Sequence, residues 1–400
     1  MKYLLTATMA LGIAAAAGAT DISNLQAGKL AEAGIDAKEK TLTISGTMNA
    51  ADFSYILDNL GSLESLDMAA VTIVEYSGDA LPYTGVTSSP ANTLPDYALT
   101  GLTKLTTVTL PATLKAIGKG ALSGSGITSL TIPASVTSIA PYAAMRCESL
   151  QSVSIPESVS EIGARAFAYC PELTTVSIAA SVNEIPEGLF EACGGLKTVS
   201  LAALAQCTEI GPWAFAECNG VQTLVLPASL SGLTQGALYA ANSIGALVLP
   251  EGMTYLGDNA MGNMTGLKSI NVAEVASVPE LGNDVWVNVD KPNVTLIAPD
   301  GREQEYRDSP QWQDFNITSQ SSTRTMPSTV ESDNMTVSFS DGVLHISAGS
   351  KNLGNIAIFN AAGRRMLSTH AKSRVDITVG GWPAGVYLIV SELGAAKIAF

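Results

Sequence analysis

The sequence predicts an α/β repeat solenoid, in which a parallel β ladder alternates with short helical turns, flanked by an N-terminal α/β cap and a C-terminal all-β sandwich. A repeat of about 23 residues recurs through the middle of the 400-residue chain, and a near-constant period of this length is typical of stacked repeats. Within each repeat the apolar residues first alternate as in a strand. After residue 334 the period is lost and short alternating segments follow.

Residues 1–19 are typical of a secretory signal peptide. Lys2 supplies the positive charge, an apolar run follows, and Ala17-Gly18-Ala19 fits a cleavage site. No later run approaches the ~18 apolar residues that a membrane-spanning helix needs. We therefore expect an exported chain, secreted or held at the cell surface (outer membrane), without a membrane span.

Residues 20–101 are predicted to form the cap and an irregular first repeat. Thr41 to Ser45 alternates as a strand does, and Asn49 followed by Asp52 fits a helix capping box. The glycine- and proline-rich loop from Ser77 to Asn92 is either a passive insertion or a binding element. The apolar face of the predicted helix contains Phe53, Ile56, Leu57 and Leu60.

Residues 102–320 are predicted to form the solenoid with its C-terminal cap. Val153 and Ile155 of the third repeat alternate with polar residues and predict a strand, and Ala166 with Phe167 fits a short helical turn. Proline directly after the strand in five repeats lacks an amide donor and should end it. One repeat buries too little apolar surface to fold alone, so neighbours must stack. The repeats start at Leu105, Ile127, Leu150, Leu173, Leu196, Val221 and Ile244, with a decayed copy at Leu267.

The outward positions of the predicted strands are rich in threonine and serine. Two interpretations remain open: threonine simply fits a parallel ladder, or the face binds a ligand and its apolar end near Val225 and Val248 is an anchor. The candidate ligand-binding face consists of Thr107, Thr109, Ser129, Thr131, Ser152, Ser154, Thr175, Ser177, Thr198, Ser200, Val225 and Val248.

The run L-x-x-V-x-I-P-x-S-V-x-x-I-x-x-x-A-F-x-x-C, carried by residues 150–170, resembles the BspA-like leucine-rich repeats of bacterial surface proteins. The resemblance covers about residues 49–316. It implies a parallel, curved solenoid that binds a protein or a glycan and does not catalyse a reaction. This chain departs from the pattern at Ala179 and Ala202, where proline is usual, and by two extra residues around Leu204–Gln206, which should bulge one loop.

Four of the five cysteines recur at one repeat position, and Cys207 lies in the expected bulge. Adjacent coils would separate these side chains by the ~4.8 Å strand spacing, which exceeds the ~3.8 Å between the Cβ atoms of a disulfide. We therefore predict a ladder of buried thiols. No histidine accompanies it, which argues against a metal site, and no cofactor is implied. The column contains Cys147, Cys170, Cys193 and Cys218.

The far end of the solenoid is predicted to close with a last strand at Val294–Ala298. Tyr306, Trp312 and Phe315 either cover the final coil or form an exposed aromatic set that stacks on sugars. Residues 321–334 are polar and predict a linker.

Residues 335–400 are predicted to form a β-sandwich, with a hairpin turn at Asn360–Arg364. Residues 355–366, the run from Trp382 to Tyr387 and the terminal Lys397-Ile398 resemble the C-terminal sorting domain of the type IX secretion system. That resemblance implies transport across an outer membrane, although the usual Asn-Pro motif is missing; an unrelated accessory sandwich is the alternative. The predicted strands are 335–339, 343–347, 356–359, 375–379, 385–390 and 396–400.

The sequence holds little that suggests catalysis. Its two histidines, His345 and His370, lie in the C-terminal domain, and no Ser/His/Asp arrangement or catalytic motif is evident. Glu184, Glu187 and Glu191 are interpreted as a solvated face rather than as a glycosidase pair. The net charge of −15 disfavours nucleic acid and anionic lipid as partners.

The leading hypothesis is an exported adhesion or binding protein that presents its repeats to a host or bacterial surface protein or glycan. One alternative is an exported glycan-processing or glycan-binding accessory protein. Another is a structural surface-layer component, which should self-associate.

Overall fold

The computed structural model describes residues 13–16, 19–82, 84–201, 203–319, 329–332, 335–340, 343–360, 365–379, 382, 386–391 and 393–399. The chain divides into two units, Met1–Ala180 and Ser181–Phe400, and the division falls inside the repeat array. Most of the predicted signal peptide lies outside the described residues, and so does the predicted linker except for residues 329–332. The predicted boundaries at 101, 320 and 334 therefore remain predictions.

The first unit is built from strands that are long in the cap and short in the repeats. It contains one α-helix, α1 (Ala50–Asn59), and a 3-10 turn at Leu30–Ala33. Its strands are β1 (Ile13–Ala16), β2 (Ala19–Leu25), β3 (Thr41–Met48), β4 (Ser65–Ile73), β5 (Tyr76–Ser77), β6 (Ser88–Ser89), β7 (Thr93–Leu94), β8 (Thr107–Thr109), β9 (Ala116–Ile117), β10 (Ser129–Thr131), β11 (Ser138–Ile139), β12 (Ser152–Ile155), β13 (Glu161–Ile162) and β14 (Thr175–Ile178).

The cap forms a five-stranded sheet in the order β1-β2-β3-β4-β8, parallel except for β1. The predicted capping box is confirmed: Asn49 Oδ1 accepts a hydrogen bond from Ala51 N (3.0 Å), and the Asp52 carboxylate accepts one from Asn49 N (2.9 Å). Buried Asp52 also accepts from the amides of Gly28 (2.7 Å) and Leu30 (2.9 Å). One carboxylate therefore joins the start of α1 to the preceding turn.

Each repeat of the first unit contributes two short strands to two parallel ladders. The first ladder is β10-β12-β14 and the second is β7-β9-β11-β13. The strands end before Pro133 and at the residue before Pro156, as predicted. β14 also ends at Ile178, although Ala179 replaces the proline, so the strand ends at this position even where proline is absent.

Hydroxyl groups add a second set of bonds between coils. Thr128 Oγ1 donates to Thr106 O (3.3 Å), and Thr174 Oγ1 donates to Gln151 O (3.1 Å). On the second ladder Thr137 Oγ1 donates to Lys115 O (3.3 Å). These threonines bond to the backbone of the preceding coil, which gives them a structural role.

The predicted helical turn is instead a run of hydrogen-bonded turns. Tyr142 and Arg146 adopt left-handed φ values of 61° and 58°, and the next coil repeats the pattern at Arg165 and Tyr169. This backbone turns the amides of Tyr142 and Arg146 toward Ala164 O and Ala168 O of the following coil, at 3.0 and 2.9 Å. The helix is lost because alternate amides pair with the following coil, while Met145 N keeps a bond within the turn to Tyr142 O at 3.1 Å.

The second unit continues the repeats and ends in the C-terminal domain. It contains α2 (Glu303–Arg307) and a 3-10 turn at Lys291–Asn293. Its strands are β15 (Glu184–Ile185), β16 (Thr198–Ser200), β17 (Glu209–Ile210), β18 (Thr223–Val225), β19 (Gly232–Leu233), β20 (Ala246–Val248), β21 (Tyr255–Leu256), β22 (Ser269–Asn271), β23 (Glu280–Leu281), β24 (Thr295–Ala298), β25 (Asn316–Ser319), β26 (Thr329–Ser332), β27 (Met335–Ser340), β28 (Val343–Ser347), β29 (Gly354–Asn360), β30 (Arg365–Ala371), β31 (Arg374–Thr378), β32 (Val386–Ser391) and β33 (Gly394–Ala399).

The repeat ladders of the second unit are again parallel. The first ladder appears as β16-β18 and β20-β22-β24-β25, and the second as β15-β17-β19-β21-β23. The strand predicted to be last, at Val294–Ala298, is β24, but β25 follows it in parallel. After β24 the chain passes through α2 to the beginning of that strand. β25 then runs beside β24 in the same direction.

The C-terminal domain consists of two antiparallel sheets, β26-β27-β28-β31 and β30-β29-β32-β33. One hydrophobic cluster draws on both, including Val337 and Ile346 from the first sheet and Ile358 and Ile389 from the second, as the sandwich prediction requires. β26 lies within the predicted linker, and β30 was not predicted. The hairpin turn predicted at 360–364 falls on residues 361–364, which lie outside the described residues, although β29 and β30 do pair antiparallel.

Phe167 and the equivalent Phe190 and Phe215 are fully or almost fully buried. We expect Phe167→Ala to lower the free energy of unfolding by ~3–5 kcal/mol, because it opens a cavity in a packed coil. Denaturant titration followed by circular dichroism measures the loss. Glu157→Ala, an exposed change in the same coil, should stay within ~0.5 kcal/mol. A Phe167→Ala loss below about 1 kcal/mol would mean that this position does not fill the core.

Candidate functional site

An outward-facing group of hydroxyls, called here the hydroxyl face, lies on β8 and on the first ladder of the first unit, β10-β12-β14. Parallel pairing sets Ser129 beside Ser152 and Thr131 beside Ser154, and extends the two rows to Thr175 and Ser177. All its members are exposed except Ser152, which is half-buried. The hydroxyl face consists of Thr107, Thr109, Ser129, Thr131, Ser152, Ser154, Thr175 and Ser177.

The hydroxyls of this face are unused within the fold. None of the eight side chains makes a hydrogen bond to any residue that the structure describes, whereas the neighbouring Thr106 donates to Glu64 O at 3.1 Å and Thr128 donates to Thr106 O. The structural role of threonine therefore belongs to the first position after each repeat start. The second and fourth positions keep their donor and acceptor capacity for a ligand.

A carboxylate borders the hydroxyl face on its N-terminal side. Strand β4 pairs with β8 so that Ser65 lies beside Thr107 and Asp67 beside Thr109. Asp67 is half-buried, and its Oδ1 accepts a hydrogen bond from Ala69 N at 2.9 Å. The border is therefore negative and partly fixed in place.

The equivalent positions of the second unit are less accessible. Thr198 and Ser200 are half-buried, Val225 is only 5% exposed and Val248 is half-buried. The prediction that Val225 anchors a ligand at the surface is wrong, because its side chain is already buried within the fold. The sequence could not show this, because the alternation of a strand predicts which way a side chain points but not which other residues bury it.

The loop from Ser77 to Asn92 is folded onto the cap. β5 and β6 pair antiparallel, and Leu81 N donates to Val86 O at 3.0 Å. Ser54 of α1 donates from Oγ to Pro82 O at 3.4 Å. These contacts support an ordered insertion and leave its binding role a prediction.

The aromatic residues that end the repeats form a closed cluster. Trp312 and Tyr306 are 1% and 0% exposed, and their ring centroids lie 5.6 Å apart. Trp286 packs 5.1 Å from Trp312 and 5.0 Å from Phe315. The cluster covers the last coil and offers no face to a sugar, so the packing interpretation is confirmed.

The five cysteines are all buried, and none of them forms a disulfide. Burial raises the pKa of the Cys147 and Cys218 thiols to about 12 and that of Cys207 to about 11. Cys218 Sγ donates to Phe190 O at 3.0 Å. Cys207 does not lie in the bulge, because the exposed extra residues precede it and Cys207 takes the core position that Val159 takes in an earlier coil.

A row of Ser338, His345 and Asp376 crosses three neighbouring strands of the C-terminal domain. His345 Nδ1 lies 2.8 Å from Asp376 Oδ1, and this hydrogen bond, followed by that of Arg374, lowers the pKa of Asp376. The His345 and Asp376 side chains are 30% and 45% exposed. The row is not evident along the sequence, because only the strand register brings its three residues together. Its exposure on an open sheet face is typical of a surface ion pair.

Within the described ranges, no group of three or more His, Cys, Asp or Glu residues is placed to hold a metal ion. Among the helices that the structure describes, none combines the length and apolar character needed to cross a membrane.

Comparison with known proteins gives a family match. The model described as BspA type leucine-rich repeat region matches six copies over residues 84–197 and 161–291, together just over half of the chain. No curated protein matches the chain.

Solved structures provide a fold comparison. A leucine-rich repeat protein from Bacteroides ovatus is 21% identical with a TM-score of 0.51, covering 72% of this chain and 69% of that one. This likeness shows a shared fold. A leucine-rich repeat protein from Eubacterium ventriosum is 14% identical, with a TM-score of 0.34 and coverage of 60% and 70%. A leucine-rich cell surface protein from Faecalibacterium prausnitzii is 17% identical, with a TM-score of 0.25 and coverage of 64% and 92%.

We expect the five thiols of the folded protein to resist a thiol-specific reagent at about pH 8, because all five side chains are buried where the reagent cannot reach them. Absorbance of the released chromophore should show no labelling until denaturant is added. Ser160→Cys places one exposed thiol in the first unit, which also contains Cys147 and Cys170, and this thiol should react at once. Labelling of the unmodified protein as fast as that variant would contradict the buried ladder.

Proposed function

Because the chain belongs to the BspA-type leucine-rich repeat family, we propose that it is an exported surface protein that binds a protein or glycan through the hydroxyl face and performs no catalysis. The observation that supports this proposal is the set of eight exposed or half-buried hydroxyls, on the strands of four successive repeats, that make no hydrogen bond to any residue that the structure describes. Threonines that hold the coils together, such as Thr106 and Thr128, donate to the backbone of the preceding coil, whereas the members of these two rows make no such bond and remain available to a ligand.

Affinity would come from many modest contacts on a rigid surface. Each hydroxyl can donate one hydrogen bond and accept others, and strands ~4.8 Å apart hold them in two straight rows. Short side chains on a fixed ladder lose little entropy on binding. An extended strand of protein or a sugar chain lying across the rows would meet several hydroxyls at once.

Charge narrows the class of partner. The chain carries a net charge of −15, and Asp67 borders the hydroxyl face. The protein therefore repels nucleic acid and anionic lipid surfaces. A neutral or cationic surface protein or a glycan fits this field.

Export would use both ends of the chain. Residues 1–19 would direct secretion as a signal peptide. The C-terminal domain would act as a sorting domain of the type IX secretion system, since its sequence resembles that domain. The protein would then be released or attached at the cell surface.

A pair of arginines on the hydroxyl face tests the binding site. We expect Ser154→Arg with Thr175→Arg to abolish binding to the partner found by screening the full chain against extracellular-matrix proteins and a glycan array. The long cations would hold a ligand off both rows. Surface plasmon resonance measures the affinity, and thermal unfolding should show an unchanged Tm because both positions are exposed.

The matched control is Thr113→Arg with Ala134→Arg, which adds the same charge to two exposed positions of the first unit outside the hydroxyl face. This control should keep full affinity. Equal binding by both double variants would remove the hydroxyl face from the proposal.

Deletion after Ser319 tests the proposed sorting role. We expect the truncated protein to accumulate in the periplasm of the producing bacterium, whereas the full chain reaches the surface. Cell fractionation and surface proteolysis separate the two outcomes. Surface display of the truncated chain at the full-length level would show that the C-terminal domain is an accessory module.

A further inference from the structure

Two half-buried aromatic rings of the second unit lie over glycines of the neighbouring coil. A Cβ added at Gly236 would collide with the six-membered ring of Trp213, and one added at Gly262 would lie 3.0 Å from Tyr239 Cδ2. The Trp213 ring therefore occupies the space that Gly236 leaves beside the backbone, and the Tyr239 ring shares the space at Gly262 with Val287 Cγ1, which would lie 2.8 Å from the added Cβ. Because both side chains are only half-buried, each keeps an accessible surface.

The two rings meet at an angle. Their centroids are 5.7 Å apart and their planes are inclined by 73°. No hydrogen bond joins the Trp213 side chain to any residue that the structure describes, so its indole N–H can donate outward. The pair forms an apolar corner with a polar group attached, which is how aromatic side chains usually join apolar and polar contacts.

A line of side-chain hydrogen bonds leads away from this corner. Asn288 Nδ2 donates to Asn263 Oδ1 at 2.6 Å, and Asn263 Nδ2 donates to the Tyr239 hydroxyl oxygen at 2.6 Å. The Tyr239 proton and the Asn288 carbonyl oxygen take no part in these two bonds. The amides are therefore held in fixed orientations with capacity left at both ends of the line.

The charged residues in the turn segments that contain these aromatic and amide groups are all acidic. The turn segments 211–220, 234–245, 257–267 and 282–290 contain no lysine or arginine, but they include Glu217, Asp258, Asp284 and Asp290. Asp258 already accepts hydrogen bonds from Asn283 N (2.7 Å) and Nδ2 (3.3 Å). An acidic ligand would be repelled by these carboxylates, and the neighbouring Lys291 is already paired with Asp314 at 2.6 Å.

We propose that Trp213, Tyr239, Asn263 and Asn288 form a binding site for a neutral oligosaccharide. A pyranose ring presents C–H groups on its faces and hydroxyls at its edge, which match an aromatic corner flanked by amides. Coils repeat every ~4.8 Å, close to the length of one sugar ring, so successive sugars meet successive coils. This site is separate from the hydroxyl face and does not rest on the function proposed for that face.

Isothermal titration of the full chain with cellohexaose, xylohexaose and chitohexaose tests the site. We expect saturable binding of at least one hexaose, accompanied by a change in tryptophan fluorescence. Trp213→Ala should weaken it by about tenfold, the scale of one lost aromatic contact. Asn288→Ala, an exposed change that cannot empty the core, should weaken it by about threefold or more because it removes a polar contact.

The chain offers a matched control in the first unit. The Tyr97 ring lies over Gly120 in the same way, so Tyr97→Ala removes an equivalent inter-coil contact without touching the site. It should lower Tm by an amount similar to Trp213→Ala and leave hexaose affinity unchanged.

Three results would overturn the site. One is the absence of saturable binding to all three hexaoses at millimolar concentration. Another is full affinity in both Trp213→Ala and Asn288→Ala. The third is loss of hexaose binding in Ser154→Arg with Thr175→Arg, which would place the sugar on the hydroxyl face. Retention of hexaose binding in that double variant keeps the two proposals distinguishable.

Discussion

The structure depends on backbone hydrogen bonding between equivalent positions of neighbouring coils. A strand of two to four residues has no stable partner within its own repeat, so its amides and carbonyls must be satisfied by the coils before and after it. The same demand reaches the turns, where Tyr142 and Arg146 take left-handed conformations so that their amides point along the stack. The cost of that conformation in a non-glycine residue is offset by a buried hydrogen bond at each coil.

The closeness of the coils explains residues that would otherwise look arbitrary. Gly126, Gly220 and Gly266 each directly precede a repeat start, and a Cβ at any of them would overlap a carbonyl oxygen of the preceding coil. Glycine is needed at these places for space and not for backbone freedom. At Gly236 and Gly262 the missing side chain leaves space for an aromatic ring of the neighbouring coil. The side chains that can contact a ligand are therefore those that point away from the contacts between coils.

The sequence predicted most of the architecture because periodicity reports burial directly. Repeat starts, buried columns, the cap helix and six C-terminal strands follow from apolar spacing, which is the quantity that folding acts on. The second ladder was not predicted, since pairs such as Ala116–Ile117 are too short to alternate. Strand β30 was missed because Arg365–Ala371 mixes charged and polar residues without a two-residue period.

The candidate sites were less predictable because they depend on the strand register and on which side chains are buried by residues of other repeats. Alternation identified the hydroxyl face as outward, but only the structure separates hydroxyls that bond to the next coil from those that remain unused. The burial of Val225 depends on surroundings that a single repeat does not contain. The row of Ser338, His345 and Asp376 and the corner of Trp213 and Tyr239 both join residues from different strands or coils, which spacing along one chain cannot reveal.

The five buried thiols make the order of events during maturation matter. In a repeat array most contacts join a coil to its neighbour, one repeat away in sequence, so coils can add to a folded nucleus one after another. Each added coil withdraws its thiol from solvent. In an oxidising compartment, folding therefore competes with disulfide formation. A molecule that folds first keeps all its thiols. A molecule that stays unfolded for longer forms disulfides that the spacing between coils does not accommodate. The number of free thiols in the exported protein would therefore report how fast it folded.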